Sequence, residues 1–201
     1  MDMPSRRSFL SSVGVLAGAS LLPEIAEATQ TPQGGWDLSF LDKLTGKHKQ
    51  VFDVNDVGIG LVVVKNWLDA WESVYGLKSP DVNAIAGIAG KGFAINAGDA
   101  LYAKYPIGEM WSVNDPATGK PATKSMHLAA VKALQARGTT FWMCNNALNN
   151  VAGRLANATQ KTQPEVLREL VAGLHPGVII VPAHTMLVGI AQEKGFSYEA
   201  V

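Results

Sequence analysis

Gly138-Thr139-Thr140-Phe141-Trp142-Met143-Cys144-Asn145-Asn146-Ala147-Leu148 sets the fold class. A glycine closes the segment before it, and Thr139 to Met143 has the β-branched and aromatic composition of a strand. A helical pattern then opens at Cys144 and continues towards Ala158. A strand that runs directly into a helix is the repeating unit of an α/β domain. The same order returns downstream. Gly177 to Val181 is a fully apolar strand, Pro182-Ala183-His184-Thr185 opens a helix to about Lys194, and Gly195 is placed to end it.

Working outward, Gln50 to Val54 reads as a first strand. Val57, Leu61, Val64, Leu68, Trp71 and Tyr75 alternate in steps of four and three, which predicts one face of a helix ended by Gly76. Val82 to Ala89 is apolar without polar alternation, the pattern of a strand buried on both faces. Phe93 to Tyr105 is expected to be helical, and Pro106 to Lys124 a long loop of the lid or interface kind. Ser125 is expected to cap a helix with Met126, Ala129, Ala130, Ala133 and Leu134 on one face, ending at Arg137-Gly138. Pro164 starts another helix, with Val166, Leu167, Leu170, Val171 and Leu174 on one stripe, and Phe196 to Val201 is a last strand. Strands separated by helices predict an α/β fold with a mainly parallel sheet and helices on both faces.

Composition narrows the function classes. With 47% hydrophobic and 17% charged residues, the 201-residue chain is too apolar to be disordered. A net charge of +0 removes the electrostatic case for nucleic acid as a partner. One cysteine excludes an intramolecular disulfide and any multi-cysteine metal site, and His48, His127, His175 and His184 have no metal-ligand spacing. No metal is therefore expected. The glycines form neither a dinucleotide fingerprint nor a P-loop, and no cofactor is expected.

The N-terminus has its own logic. Ser5-Arg6-Arg7-Ser8-Phe9-Leu10, an apolar run from Ser11 to Leu22 and Ala26-Glu27-Ala28 follow the layout of a secretory signal, and the paired arginines resemble the twin-arginine type. Residues 1–28 are therefore expected to be an export signal, 29–46 a linker or arm with a short helical turn around Asp37–Lys43, and 47–201 the folded domain. The apolar run falls short of the roughly 20 residues of a spanning helix. The expected location is the periplasm, with no membrane anchor once the signal is removed.

In open α/β sheets ligands bind beyond the carboxyl ends of the strands. Cys144 and His184 both fall there, each after a strand and at a helix start. Unpaired N–H groups and the helix dipole favour thiolate over thiol at such a position. A neighbouring imidazole, from His184 or more weakly His127, would add to this. Packing as a small buried hydrophobe is the competing expectation for the cysteine. Asn145 and Asn146 would supply the helix N-terminus, while Trp142 beside the cysteine and Trp111 in the long loop are candidates for a pocket or subunit contact.

The run Ala136 to Leu148, then Leu174-His175-Pro176-Gly177-Val178-Ile179-Ile180-Val181-Pro182-Ala183, then Gln192-Glu193-Lys194-Gly195-Phe196-Ser197-Tyr198, resembles the DsrE/DsrF-like family of sulfur-relay proteins. The likeness spans Lys47 to Val201, with motif-level similarity in the last third. It implies a three-layer α/β/α domain that assembles as a homo-oligomer, a trimer or hexamer. It also implies that Cys144 accepts sulfur as a persulfide and passes it between donor and acceptor proteins. The expected function is exported sulfur handling. The alternative is a non-enzymatic oligomeric binding module for a small ligand or partner protein, with Cys144 structural. A thiol hydrolase or transferase built on a Cys144–His184 pair is a third, weaker expectation.

Overall fold

Five strands form one sheet: β1 (His48–Val54), β2 (Val82–Ile88), β3 (Thr140–Cys144), β4 (Val178–Val181) and β5 (Ser197–Ala200). In the computed structural model, which describes residues 35–201, their order is β4-β3-β2-β1-β5 and every neighbouring pair is parallel. Parallel neighbours require crossovers. α1 (Gly60–Tyr75) joins β1 to β2. The short helices α2 (Phe93–Asn96), α3 (Asp99–Lys104) and α4 (Ile107–Met110), followed by α5 (Leu128–Ala136), lead to β3. α6 (Asn145–Ala158) and α7 (Gln163–Ala172) lead to β4, and α8 (His184–Glu193) leads to β5.

Crossover handedness explains the layers. From β1 to β4 every step runs in the same direction across the sheet, so right-handed connections put α1, α5, α6 and α7 on one face. The last connection reverses direction, which puts α8 on the other face. The result is an α/β/α sandwich with unequal covers. Alternation along the strands fills both cores. Phe52, Val54, Phe141 and Met143 enter the large one, whereas Val51, Ile85 and Trp142 enter a smaller one with Val181, Leu187, Ala191 and Phe196. Complete burial of side chains of this size contributes about 1.5–3 kcal/mol each.

The arm before β1 belongs to the smaller core. A 3₁₀ turn at Ser39–Lys43 matches the predicted helical turn, Leu41 is fully buried by it, and Asp42 pairs with Lys194 at the end of α8. The predicted export signal lies outside the described residues. Among the described residues, no helix is long and apolar enough to cross a membrane.

The elements depart from expectation at several places. α1 starts at Gly60, because Asp56 Oδ1 accepts from the Gly58 and Ile59 N–H groups and holds a turn there. Its C-terminal Tyr75 is 68% exposed, with its ring 5.3 Å from that of Trp71. The helix expected over 93–105 is broken at Ala97-Gly98, where Gly98 N–H donates to Gly173 O and a side chain would meet that carbonyl. The long loop 106–124 contains α4 and a bridge between Asn114 and Pro121. Ser125 does not cap α5. Its N–H donates to Asp99 and its hydroxyl faces His175, so the helix begins after His127. The buried stripe of α5 is Val131 and Leu134, with Ala129, Ala130 and Ala133 exposed. His48 is half-buried against the Trp71 ring at 3.9 Å instead of solvent-exposed.

Candidate functional site

Trp142 and Cys144 are two residues apart on β3, so both side chains turn to the α8 face. Trp142 lies in a row of partners across the sheet, Asp53–Gly87–Trp142–Ile179. A Cβ at Gly87 would sit 2.8 Å from three atoms of the indole. The missing side chain is what lets the indole lie over β2. There its Nε1–H donates to His184 Nδ1 at 3.0 Å, and His184 Nε2 lies 3.0 Å from Asp53 Oδ1 on β1. That second contact is within polar distance but is not aligned as a hydrogen bond. Asp53 is held by the Asn55 amide on Oδ1 at 2.8 Å and by the Tyr198 hydroxyl on Oδ2 at 3.0 Å.

The tautomer of His184 follows from its neighbours. An indole N–H can only donate, so Nδ1 must be the acceptor and the neutral ring carries its proton on Nε2. Protonating Nδ1 as well would point two N–H groups at each other. Burial pushes the His184 pKa below its ordinary value, while the Asp53 charge works in the opposite direction. The ring is therefore a neutral donor facing a carboxylate. While Trp142 is bonded to it, it offers no lone pair for a base or a metal. Asp53, His184, Thr185, Val188, Gln192 and Tyr198 line a cleft of about 170 Å³ at this point. The bond from Tyr198 to Asp53 raises the tyrosine pKa above its usual value.

Cys144 caps the N-terminus of α6. Its Sγ accepts the Ala147 N–H at 3.4 Å and the His184 N–H at 3.3 Å. The sulfur thus sits where the first turns of α6 and α8 converge, and the residue is 6% exposed. His184 reaches it through its backbone, whereas both ring nitrogens face elsewhere. Asn145 is half-buried and its carbonyl accepts from Asn149; Asn146 is exposed.

The other two candidates lie in different settings. His127 is the residue before α5, where burial and the neighbouring His175 push its pKa down and its Nε2 is buried without a partner. Trp111 donates to Gly90 O at 2.8 Å, packs on Phe93, and carries the Arg154 guanidinium over its ring at 5.2 Å. The structure thus brings Trp142, Cys144 and His184 together, with Asn145 and Asn146 beside them. Among the described residues no group of three or more His, Cys, Asp and Glu could hold a metal ion.

No known family profile matches the chain, and no curated protein matches its sequence. Among solved structures, a protein of unknown function from Methanobacterium thermoautotrophicum, MTH1491, is similar at 15% identity and a TM-score of 0.44. The match covers 77% of this chain and 100% of that one.

Asp53, Gly87 and Tyr198 complete the network and were not singled out from the sequence. Asp53 had left a signal: it is an acid inside a short, otherwise apolar stretch of strand, Val51-Phe52-Asp53-Val54. Gly87 had too, as a glycine within a strand, which marks close approach by another group.

Proposed function

We propose that the chain is an exported sulfur-handling protein that carries sulfur as a persulfide on Cys144, in line with its resemblance to DsrE/DsrF-like proteins. The observation that supports this most is the convergence of the Ala147 and His184 N–H groups on Sγ at two helix N-termini. Such donors stabilise negative charge on sulfur. With thiosulfate as donor, the Cys144 thiolate attacks the outer sulfur. A new S–S bond forms, the bond to the sulfonate sulfur breaks, and sulfite leaves with that electron pair. The product is the Cys144 persulfide anion, and no external oxidant is consumed. Intact mass after exposure to thiosulfate or polysulfide tests this. A gain of one sulfur atom that disappears in Cys144→Ser is expected, and no gain overturns the reading.

The wider proposal has a homo-oligomer, a trimer or hexamer, exported through the twin-arginine route to the periplasm. Ile59, Val62, Val74 and Tyr75, exposed apolar side chains on or beside α1, support assembly. The Arg6-Arg7 motif supports export. Light scattering checks the first, and fractionation of cells expressing an Arg6→Lys, Arg7→Lys chain checks the second.

The low exposure of Cys144 favours a second reading, a binding module in which the thiol is packed and ligand is held near Trp111. A Cys144→Ser chain that keeps its biological activity would select it.

A further inference from the structure

A second cleft, of about 590 Å³, opens beyond the carboxyl ends of β1 and β2. Asn55, Asp56 and Val57 after β1, Gly90 and Lys91 after β2, Met110, Trp111 and Ser112 at the end of α4, and Arg154 on α6 enclose it. This rim is where parallel α/β sheets hold ligands. Neither Asp53 nor Cys144 lines the cleft; Asn55, whose amide holds Asp53 Oδ1, is the residue it shares with that network.

Its charges are unequally engaged. Asp56 turns Oδ1 to the Gly58 and Ile59 N–H groups at 2.6 and 3.1 Å, and these bonds hold its pKa below the usual carboxylate value. Arg154, by contrast, rests its guanidinium on the Trp111 face and makes no hydrogen bond or ion pair with a described residue. Lys91 likewise makes none among the described residues. Trp111 is a rigid floor for this arrangement, because Gly90 O holds its Nε1–H and Phe93 packs on it at 5.1 Å. The Arg154 N–H groups are thus left to pair with an incoming oxyanion, which a planar guanidinium can bind through two of them. Val57, Met110 and the Trp111 rim supply apolar wall beside it. Ser112 lines the cleft with a positive φ of 54°, a conformation uncommon for a non-glycine residue.

We infer that this cleft binds a small amphipathic organic anion. Its oxyanion head, a carboxylate or a phosphate monoester, pairs with Arg154 and Lys91, and its apolar body lies against Val57, Met110 and Trp111. The inference gives a ligand class to the binding-module reading and does not depend on the thiol.

Titration of the full chain, followed by the indole N–H signals in NMR spectra, tests it, with Trp111→Phe identifying the Trp111 peak. The probes are 3-phenylpropionate, phenyl phosphate, the neutral 3-phenylpropanol and the cation benzylamine. Both anions, or one of them, should shift the Trp111 signal saturably, at least about tenfold more tightly than the alcohol, with benzylamine weakest. Arg154→Gln should weaken anion binding by about tenfold, and Lys91→Gln by less. Which anion binds tighter separates a carboxylate site from a phosphate site. Binding of the alcohol as tightly as the anions, anion affinity unchanged in Arg154→Gln, or no saturable shift overturns the inference. Cys144→Ser should leave the titration unchanged, so anion binding can fail while sulfur loading stands, and the reverse.

Discussion

The two faces of the sheet are built to different rules. Under α1, α5, α6 and α7 the strands present Phe52, Val54, Ala84, Ala86, Ile88, Phe141 and Met143, an apolar set that many helices cover. Under α8 the same strands present Asp53, Trp142 and Cys144, with His184 descending from the helix above. The difference follows from topology. A single reversed crossover leaves one helix and a short arm to cover that face, so its upper rim stays open enough for polar groups to reach solvent. The first face is apolar throughout, whereas the second combines a smaller apolar core with reactive and hydrogen-bonding groups at its rim.

Alternate residues of β3 give the sharpest test of that division. Phe141→Ala should remove about 3–5 kcal/mol of stability by leaving a cavity in the large core. Urea unfolding measures it, and the His184–Trp142 bond, read from the indole N–H signal of Trp142 below the midpoint, should survive. A loss under about 1 kcal/mol would mean that the large face is not where the fold is anchored.

Gly87→Ala should come next, at about 1–3 kcal/mol, because the added methyl would sit 2.8 Å from the indole in a packed layer. Unlike Phe141→Ala, it should displace Trp142 from His184 and move the indole N–H signal. A stable variant with that signal unmoved would show that the glycine is not what seats the indole.

How far these faces could be read from the sequence depends on what each is made of. Hydrophobic periodicity located β2 and α6 closely and found the apolar strands, because long apolar patterns come from burial itself. It overestimated α1 and α5. The N-termini there are set by single side-chain bonds, locally from Asp56 to Gly58 and Ile59 and at long range from Ser125 to His175, which leave no periodic trace. Cys144 and His184 were legible as strand-to-helix positions, but the direction of the His184 ring was not. That depends on Trp142 crossing Gly87 and on Asp53 two strands away, contacts between residues far apart in the chain. The arm was legible as a turn but not as a cover for the smaller core.

Acid stability separates the faces by a smaller effect. His127, His175 and His184 all have pKa values pushed below the ordinary 6.5, with burial as the first cause. As pH falls through about 6.5 the unfolded chain takes up protons before the folded one does, so stability present at neutral pH is progressively lost. Glu169, held at about 2 by Lys104, Lys161 and Tyr105, adds a further loss as pH drops below the ordinary carboxylate value towards 2. Trp142→Phe should lose about 1 kcal/mol at neutral pH for the hydrogen bond, besides the cost of the cavity that the smaller ring leaves. It also frees Nδ1 of His184 to accept a proton, which should raise that histidine's pKa and flatten the stability loss below pH 6.5. NMR titration of the histidine ring protons checks the direction. An unchanged or lower His184 pKa would mean that burial alone keeps the ring neutral and that the indole bond plays no part.

Tyr198→Phe probes the open edge of the same network, where the smallest effect is expected. Tyr198 is 44% exposed on the edge strand β5, and its hydroxyl donates to Asp53 Oδ2. Water can replace that donor, so the change in stability should stay within about 0.5 kcal/mol by urea unfolding. The loss of a donor nonetheless leaves more of the Asp53 charge for His184, whose Nε2 already faces the other oxygen. The His184 pKa should therefore rise slightly, and by less than in Trp142→Phe. A larger rise in Tyr198→Phe would reverse that ranking. Asp53, and not the indole, would then control the ring, and the chemistry of the thin face would be set from its solvent side.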